Sequence, residues 1–293
     1  MGQFKRAFVL IIATVVSLVV VATPSFADES SRVLVENSWR FQDGQSITLE
    51  EDSEDVGISA YSLSRLPDGV TAQGIDVSEH QGDINWDAVK ASGVDFAILR
   101  VGFGAPSFGG RTDYQFQRNI SECERLGIPY GIYLYSYAWD DGQAADEAAF
   151  VISNIAGHSP QLPIYYDLED NSIIADGRQG GIASRASVFC NRIINAGYKV
   201  GIYANLNWFN NILTDPVFNS PSWDHWIAQY NYQCDYAGKY GFWQYASDGS
   251  VDGISGSVDM NYAYITIESN EKKWDRADEL AAAHSSDLPD GTY

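Results

Sequence analysis

The residues best suited to chemistry are two acids at the end of an apolar run. Asp167 and Glu169 stand two positions apart in the segment PIYYDLED, which spans residues 163–170. Alternate residues of a β-strand point to the same side, so we expect the two carboxyl groups to face together. Asp76, in the run GIDVS, and Asp259, in SVDMN, occupy comparable places in two other strand-like runs. The pattern predicts a site that gathers four carboxyl groups.

Clustered carboxylates repel one another, which raises the pKa of at least one of them unless a cation or hydrogen-bond donors compensate. A protonated acid beside an ionised one is the combination that glycosidic bond hydrolysis needs. The protonated acid donates to the leaving oxygen, and the ionised one stabilises the positive charge that develops at the sugar. A lone Asp at a strand end is more often a turn or cap former, but the paired spacing and the two matching positions favour catalysis.

A metal site is the competing interpretation of clustered acids. Such a site would be expected to use His ligands, and the four His residues show no ligand spacing: His80, His158, His225 and His284. The sequence therefore predicts a site with no metal and no cofactor.

Aromatic residues are frequent in the same segments, among them Tyr135, Tyr203 and Trp243. Flat rings with polar rims stack on the C–H faces of sugars and form hydrogen bonds to their hydroxyl groups. We therefore predict that these three residues bind substrate, with ordinary core packing as the alternative.

The acids lie in a regular alternation of short apolar runs and longer amphipathic runs. The predicted strands are 74–78, 96–102, 130–136, 164–169, 200–204, 226–230, 241–245 and 258–262. The predicted helices are 86–92, 114–126, 143–155, 184–196 and a short piece after residue 207. This order predicts an α/β barrel that has lost its last helices, with the active site at the carboxyl ends of the strands. The first and last strands of a closed barrel are neighbours, so Asp76 and Asp259 should lie side by side, across the mouth from the fourth strand.

The composition is that of a globular chain and narrows the class of partner. Of 293 residues, 45% are apolar and 13% aromatic, and 18 Lys and Arg against 39 Asp and Glu give a formal net charge of -21. Because phosphate recognition requires a positive surface, we expect no nucleic-acid partner. Three cysteines are too few for a disulfide scaffold, and Cys123 and Cys190 fall in helical patterns that predict buried thiols.

The first 27 residues have the pattern of a secretory signal peptide. Lys5 and Arg6 precede an apolar run over 7–22, and the segment TPSFA offers a small-x-small cleavage site before Asp28. We expect cleavage after Ala27, with an uncleaved anchor as the alternative, and no membrane contact once the signal is removed. The mature chain is expected to be a monomer.

The mature chain divides into three predicted parts. Residues 28–73 form an acidic N-terminal extension or linker, in which SWRFQDG, at 38–44, predicts a short hairpin because aromatic alternation precedes an Asp-Gly turn. Residues 74–267 form the barrel. Residues 268–293 form a C-terminal tail to which no chemistry is assigned.

Seven segments occur in order between residues 74 and 264: GIDVSEHQGDINW (74–86), FAILRVG (96–102), GIY (131–133), YDLE (166–169), GIY (201–203), WQY (243–245) and GISGSVD (253–259). Together they resemble the glycoside hydrolase family 25 muramidases, the Chalaropsis-type lysozymes. The resemblance implies an irregular, flattened TIM-like barrel of eight strands with fewer helices. It also implies hydrolysis of the β-1,4 bond between N-acetylmuramic acid and N-acetylglucosamine in bacterial peptidoglycan.

The resemblance also implies roles for individual residues. Glu169 matches the general acid/base, and Asp167 matches the partner that orients the acetamido group of the substrate or takes part in a covalent step. Asp76 and Asp259 match supporting acids on the opposite wall. Gln244 joins the substrate-binding set, which becomes Tyr135, Tyr203, Trp243 and Gln244. One position departs from the family pattern, since many members carry His where this chain has Leu134.

The leading hypothesis is therefore a secreted, cell-wall-associated lysozyme. Two alternatives stay open: a non-catalytic cell-wall-binding protein on the same barrel, and a chitinase-like hydrolase on a related one. The intact Asp167 and Glu169 argue against the first. The second predicts a longer acidic run ending in Glu than residues 165–169 contain.

Overall fold

A computed structural model describes residues 41–42, 45–46, 67–231 and 233–267. The predicted signal peptide, the C-terminal tail and most of the acidic extension lie outside these residues. Within the extension, the strands Phe41–Gln42 and Gln45–Ser46 pair antiparallel, with Phe41 opposite Ser46. The predicted hairpin is confirmed at this level.

Eight strands close into a barrel. They are β1 (Ala72–Val77), β2 (Phe96–Phe103), β3 (Tyr130–Tyr135), β4 (Ile164–Asp167), β5 (Val200–Asn205), β6 (Trp223–Ala228), β7 (Phe242–Gly249) and β8 (Val258–Ala263). Strands β1 to β7 pair in parallel in sequence order, and β8 runs antiparallel between β7 and β1. A two-residue strand, Arg111–Thr112, adds to the outer end of β2. The predicted eight-strand barrel is confirmed.

The helices follow the first five strands. They are α1 (Trp86–Ala91), α2 (Phe116–Leu126), α3 (Asp141–Asn154), α4 (Ile182–Asn195) and α5 (Leu206–Asn211). Short 3-10 helices occupy Glu79–Gln81, Pro106–Phe108, Asn171–Ile173, Arg178–Gly181 and Pro216–Asn219. The described residues between β6 and β7, and between β7 and β8, contain no α-helix. This agrees with the predicted loss of the last helices. None of the described helices is long and apolar enough to span a membrane.

Several strand boundaries differ from the prediction, among them the end of β7, which extends to Gly249 rather than to residue 245. Strand β6 covers Trp223–Ala228 rather than 226–230, and β4 ends at Asp167 rather than at Glu169. Trp223, the first residue of β6, belongs to the outer core layer, and its ring centroid lies 6.1 Å from that of Phe218. Glu169 therefore stands in the loop that follows β4, not in the strand.

Apolar side chains pack in two layers, one between strands and helices and one inside the barrel. The outer layer includes Cys123 on α2 and Cys190 on α4, which are buried free thiols as predicted. Aromatic rings fill the interior around Trp226, whose ring centroid lies 4.4 Å from that of Tyr203 and 5.2 Å from that of Tyr165. The interior is thus a packed core that closes the barrel beneath its mouth.

This ring packing requires glycine on the neighbouring strand. A Cβ atom on Gly201 of β5 would lie 2.5 Å from Cε1 of Tyr165 and 2.7 Å from the carbonyl oxygen of Asp224. Both distances are shorter than any normal contact, and the obstacle on one side is backbone. The absence of a side chain at this position lets the interior rings approach the sheet.

We predict that Gly201→Ala lowers the free energy of unfolding by about 2 kcal/mol, because overpacking a filled core forces side chains or backbone to shift. Urea unfolding followed by intrinsic fluorescence measures this change. The matched control is Gly180→Ala, where an added Cβ meets no heavy atom within 4 Å. Equal stability of the two variants would show that the interior tolerates the extra methyl group.

Candidate active site

A cavity of about 190 Å³ opens at the carboxyl ends of the parallel strands. Its lining contains all four predicted acids, Asp76, Asp167, Glu169 and Asp259. Three of the four predicted substrate-binding residues also line it, namely Tyr135, Tyr203 and Gln244, and it is completed by Val77, Ser78, His80, Gln81, Arg100, Tyr133 and Trp226. The structure therefore brings the predicted carboxyl groups to one site.

Asp76 and Asp259 lie side by side, as predicted, because they are directly opposite each other in the antiparallel pairing of β8 with β1. Asp76 is at the carboxyl end of β1, whereas Asp259 is near the amino end of β8. The reversed direction of β8 is what places that end at the mouth. The sequence predicted that Asp76 and Asp259 are neighbours, but it did not predict that β8 runs antiparallel to β1.

The two carboxyl groups form a hydrogen bond with each other, which requires one of them to hold a proton. Burial is the main cause that raises the pKa of Asp259 to about 9, and the charge of Asp76 adds to it. Burial also raises the pKa of Asp76 to about 6, but hydrogen bonds from Asn261 and Gln244 favour its ionised form. Asp259 therefore carries the shared proton at neutral pH, and Asp76 carries the negative charge.

Two amides hold Asp76 in place. Nε2 of Gln244 and Nδ2 of Asn261 each donate to Oδ2 of Asp76 at 2.8 Å. The amide oxygen of Gln244 in turn accepts from the Tyr203 hydroxyl at 2.9 Å, and that of Asn261 accepts from the Trp226 indole at 2.8 Å. The predicted binding residue Gln244 thus has its amide engaged within the protein, and the geometry makes it a positioning residue for Asp76.

Asp167 and Glu169 form the other wall. The carboxyl group of Asp167 is buried, and its Oδ1 atom has no hydrogen-bond partner in the protein. Burial, followed by the charges of Glu169 and Asp76, raises the pKa of Asp167, while Arg100 opposes the shift. Glu169 keeps some exposed surface, but its carboxyl group lies among protein atoms, and burial together with the charges of Asp76 and Asp170 raises its pKa to about 7.

Arg100 is the cation of the cavity, and sequence reasoning did not assign it a role. Its Nε atom donates to Oδ2 of Asp113 at 2.8 Å, and its Nη2 atom lies 3.3 Å from Oε1 of Glu79. The sequence did contain a sign of this role. In the strand run FAILRVG, Arg100 follows Phe96 and Ile98 with a period of two, and these two residues face the barrel interior, so Arg100 should face the same way. The orientation of Asn261 could be predicted in the same way, because Asn261 follows Asp259 by two residues in a strand and therefore faces the same side.

The loop after β3 is held by a buried carboxyl group. Glu147 of α3 accepts from the Tyr166 hydroxyl at 2.6 Å, from Oγ of Ser136 at 2.9 Å and from the backbone N–H of Tyr137 at 2.9 Å. Burial raises the pKa of Glu147 to about 7. These bonds fix residues 136–137 directly after Tyr135, whose hydroxyl donates to Oδ2 of Asp170 at 3.1 Å. The hydrogen bonds of Glu147 and Asp170 therefore hold Tyr135 and the loop after it in place beside Glu169.

Trp243, which the sequence predicts to bind substrate, does not line the cavity and is buried. Its neighbour Gln244 faces the interior, and alternation along β7 turns Trp243 to the other side. There its indole N–H donates to the carbonyl oxygen of Gln229 at 2.6 Å, and its ring packs against Tyr245 and Tyr262. Leu134, the position that departs from the family pattern, is likewise buried in the outer core layer and not at the site.

The described residues contain no group of three or more His, Cys, Asp or Glu arranged to hold a metal ion. The available chemistry is that of an acid with a raised pKa beside other carboxyl groups at the mouth of an α/β barrel. Fold and site together define a protein of the glycoside hydrolase class.

The chain belongs to family 25 of the glycosyl hydrolases, whose family model matches residues 75–254. It is 28% identical to the autolytic lysozyme of Clostridium acetobutylicum over 191 residues, which cover 64% of this chain and 55% of that protein. It is 30% identical to lysozyme M1 of Streptomyces globisporus over 202 residues, covering 64% of this chain and 66% of the other. The family that the sequence motifs indicated is confirmed.

A solved structure gives the same fold. The modular autolysin LytC of Streptococcus pneumoniae, determined with a synthetic peptidoglycan ligand, superimposes with a TM-score of 0.58 at 30% identity. The match covers 65% of this chain and 46% of that one. This chain thus spans between about half and two thirds of the length of these relatives.

The shared proton leads to a prediction about stability. Because the pKa of Asp259 is about 9 in the folded protein against an ordinary 3.8, the folded state keeps a proton that the unfolded state releases between these pH values. The stabilisation from this group is complete below about pH 4 and is lost as the pH rises towards 9. We expect Asp259→Asn to flatten the fall in unfolding free energy between pH 5 and pH 8, by up to about 1.4 kcal/mol per pH unit.

Urea unfolding at several pH values measures these slopes. Asp176→Asn, at an exposed acid outside the cavity, is the control and should keep the slope of the wild type. An unchanged slope in Asp259→Asn would mean that this carboxyl group is ionised in the folded protein.

Proposed function

We propose that the protein is a secreted lysozyme that hydrolyses the β-1,4 bond between N-acetylmuramic acid and N-acetylglucosamine in bacterial peptidoglycan. The observation that carries the proposal is the pKa of Glu169, raised to about 7 in a cavity that also contains Asp167 and Asp76. Family membership, the two lysozymes among its relatives and the peptidoglycan ligand of LytC support the choice of substrate.

Glu169 acts first as the general acid. Its proton passes to the glycosidic oxygen as the bond to the anomeric carbon breaks, and the same carboxylate then removes a proton from the attacking water. A pKa near 7 suits both steps, because the group can be protonated before cleavage and can act as a base afterwards. The negative charge on Asp76 favours the protonated form before substrate binds.

Asp167 supports the positive charge that develops at the sugar. Its Oδ1 atom is a buried acceptor that forms no hydrogen bond within the protein. An N-acetyl sugar carries an amide N–H that would satisfy this atom. We propose that Asp167 binds the acetamido N–H and thereby orients the acetamido group at the reacting carbon. Tyr135 and Tyr203 supply aromatic surface to the sugar rings.

We propose a role for each segment of the chain that is consistent with a secreted lysozyme. Residues 1–27 direct export, residues 28–73 form an acidic extension, residues 74–267 form the catalytic barrel and residues 268–293 form the tail. The enzyme then acts outside the cell on the wall as a monomer. Mass spectrometry of the exported protein tests the first boundary, because cleavage after Ala27 leaves Asp28 as the first residue.

We predict that Glu169→Gln lowers kcat on purified peptidoglycan by at least about a hundredfold, since the amide cannot donate the proton of the carboxylic acid. Digests are reduced with borohydride and analysed by mass spectrometry. The wild type should release fragments that end in reduced muramic acid. Glu122→Gln, on the outer surface of α2, is the matched control and should retain activity.

Three other results of this experiment would each support a different function. Fragments that end in reduced glucosamine would assign cleavage to the other bond of the strand. Tight wall binding without fragments, from a wild type that is folded, would indicate a non-catalytic wall-binding protein. Cleavage of chitin in preference to peptidoglycan would indicate a chitinase-like hydrolase.

The pH profile gives an independent prediction. Because catalysis needs protonated Glu169, kcat/KM should fall about tenfold per pH unit above pH 7. The charge of Asp170 is one cause of the raised pKa, so Asp170→Asn should move this alkaline limb to lower pH. Initial rates on a soluble peptidoglycan fragment between pH 5 and pH 9 measure the alkaline limb of the wild type and of the variant. A limb that stays in place in Asp170→Asn would separate it from the titration of Glu169.

A further inference from the structure

A row of stacked side chains leads out of the cavity along one wall. The ring of Tyr135, which lines the cavity, lies 5.2 Å from the ring of Tyr137, and Tyr137 lies 6.0 Å from Phe103. The guanidinium carbon of Arg111 sits 4.8 Å from the centre of the Phe103 ring and 3.8 Å from that of Tyr114. We call these five residues the rim stripe. It is continuous from a half-buried end at Tyr135 in the cavity to an exposed end at Tyr114.

The exposed end is also tied to the cavity by a second route. The backbone N–H of Tyr114 donates to Oε2 of Glu79 at 3.1 Å. Arg111 forms two hydrogen bonds with the same carboxylate, at 2.8 Å and 2.6 Å. Glu79 lies in the 3-10 helix that follows Ser78, and Ser78, His80 and Gln81 line the cavity. Tyr114 is therefore held at the rim of the site and not on a separate surface.

Exposure marks Tyr114 as a contact surface. It is 78% exposed, the most exposed of the large apolar side chains among the described residues, and Tyr137 is 39% exposed. One side of the Tyr114 ring packs on the Arg111 guanidinium, which restricts the ring without covering it. Exposed aromatic surface that continues into a binding cavity is typical of a ligand-binding groove.

The charge of the rim stripe indicates a neutral ligand. Arg111 is its only cation, and both of its outer nitrogens are taken up by Glu79. The two-point pairing is the first cause that lowers the pKa of Glu79 to about 2, so the pair stays ionised and mutually neutralised at any pH that the enzyme meets. A carboxylate of a stem peptide would find no spare positive charge here. A sugar ring, with its apolar C–H faces and hydroxyl edges, fits an aromatic row next to a paired guanidinium.

We propose that the rim stripe, through Tyr114 and Tyr137, binds sugar units of the same glycan strand beyond the bond that is cleaved. The proposal rests on the proposed function, since the strand in the cavity must be a glycan. The affinity then depends on the length of the ligand. Strands long enough to reach Tyr114 bind more tightly than fragments that fill only the cavity. Binding energy from these remote units holds the strand while the cavity contacts the reacting sugar.

Calorimetric titration of the full chain carrying Glu169→Gln tests the proposal, because this background prevents turnover during the measurement. The ligands are peptide-free glycan strands of two disaccharide units and of about ten, and strands of both lengths that keep their stem peptides. We expect Tyr114→Ala to raise Kd for the long strands roughly three- to tenfold, the range of one stacked ring, and to leave Kd for the short strands unchanged. Tyr114→Phe keeps the ring and should restore long-strand binding.

Ile194→Ala is the matched control, because Ile194 is an exposed apolar side chain on α4, outside the cavity. Equal Kd values for long strands in Tyr114→Ala and its parent would overturn the proposal. So would an equal loss for short and long strands, which would mean that Tyr114 only shapes the cavity. A loss confined to fragments that carry stem peptides would assign the rim stripe to the peptide instead and would overturn it too.

Turnover by the wild type separates this proposal from the proposed function. If the wild type cleaves peptidoglycan and the length effect is absent, the rim stripe proposal fails alone. If the length effect is present and the wild type releases no fragments, the hydrolase proposal fails and glycan binding by the rim stripe stands.

Discussion

The hydrogen bond between the carboxyl groups of Asp76 and Asp259 is the interaction on which the site depends. It exists because β8 returns antiparallel beside β1 and sets the two residues opposite each other. A single proton between them leaves one negative charge on that wall rather than two. That charge, on Asp76, is one of the causes that keep Glu169 protonated near neutral pH. The closure of the barrel thus adds to the effect of burial, which is the main cause of the raised pKa of Glu169 on the opposite wall.

Buried acids are costly, and the aromatic interior provides the hydrogen bonds that reduce the cost. The hydroxyl groups of Tyr203 and Tyr230 donate to Gln244, and the indole of Trp226 donates to Asn261, so that both amides turn their N–H groups to Asp76. The same rings fill the core below the site. Each ring therefore contributes apolar packing at one end and an oriented hydrogen bond at the other, which is why large aromatic residues occupy this layer.

Much of the fold and of the carboxyl cluster could be predicted from the sequence, because both depend on alternation along strands. The alternation of side chains along a strand predicted that Asp76 and Asp167 face the barrel interior. The order of strands and helices predicted that the first strand lies beside the last. What escaped prediction depends on tertiary direction. The antiparallel course of β8 has no local signal, and the outward face of Trp243 follows from the register of β7 rather than from its residue type. The roles of Arg100 and Asn261 required knowing that their strands point them at the acids.

Two ion pairs hold the mouth of the barrel. Arg100 pairs with Asp113, and Arg111 pairs with Glu79. Among the described side chains, Oδ1 of Asp167 is the one buried acceptor of the cavity without a hydrogen-bond partner in the protein, whereas Oδ2 of Asp76 accepts two amide N–H groups. An unsatisfied acceptor in a buried site costs free energy until a donor arrives, so a ligand with an N–H group at that point gains both a bond and relief of that cost. Under the proposed function, this asymmetry between two carboxyl groups on opposite walls, one satisfied by the protein and one without a partner, would favour an N-acetyl sugar over a plain one beside Asp167.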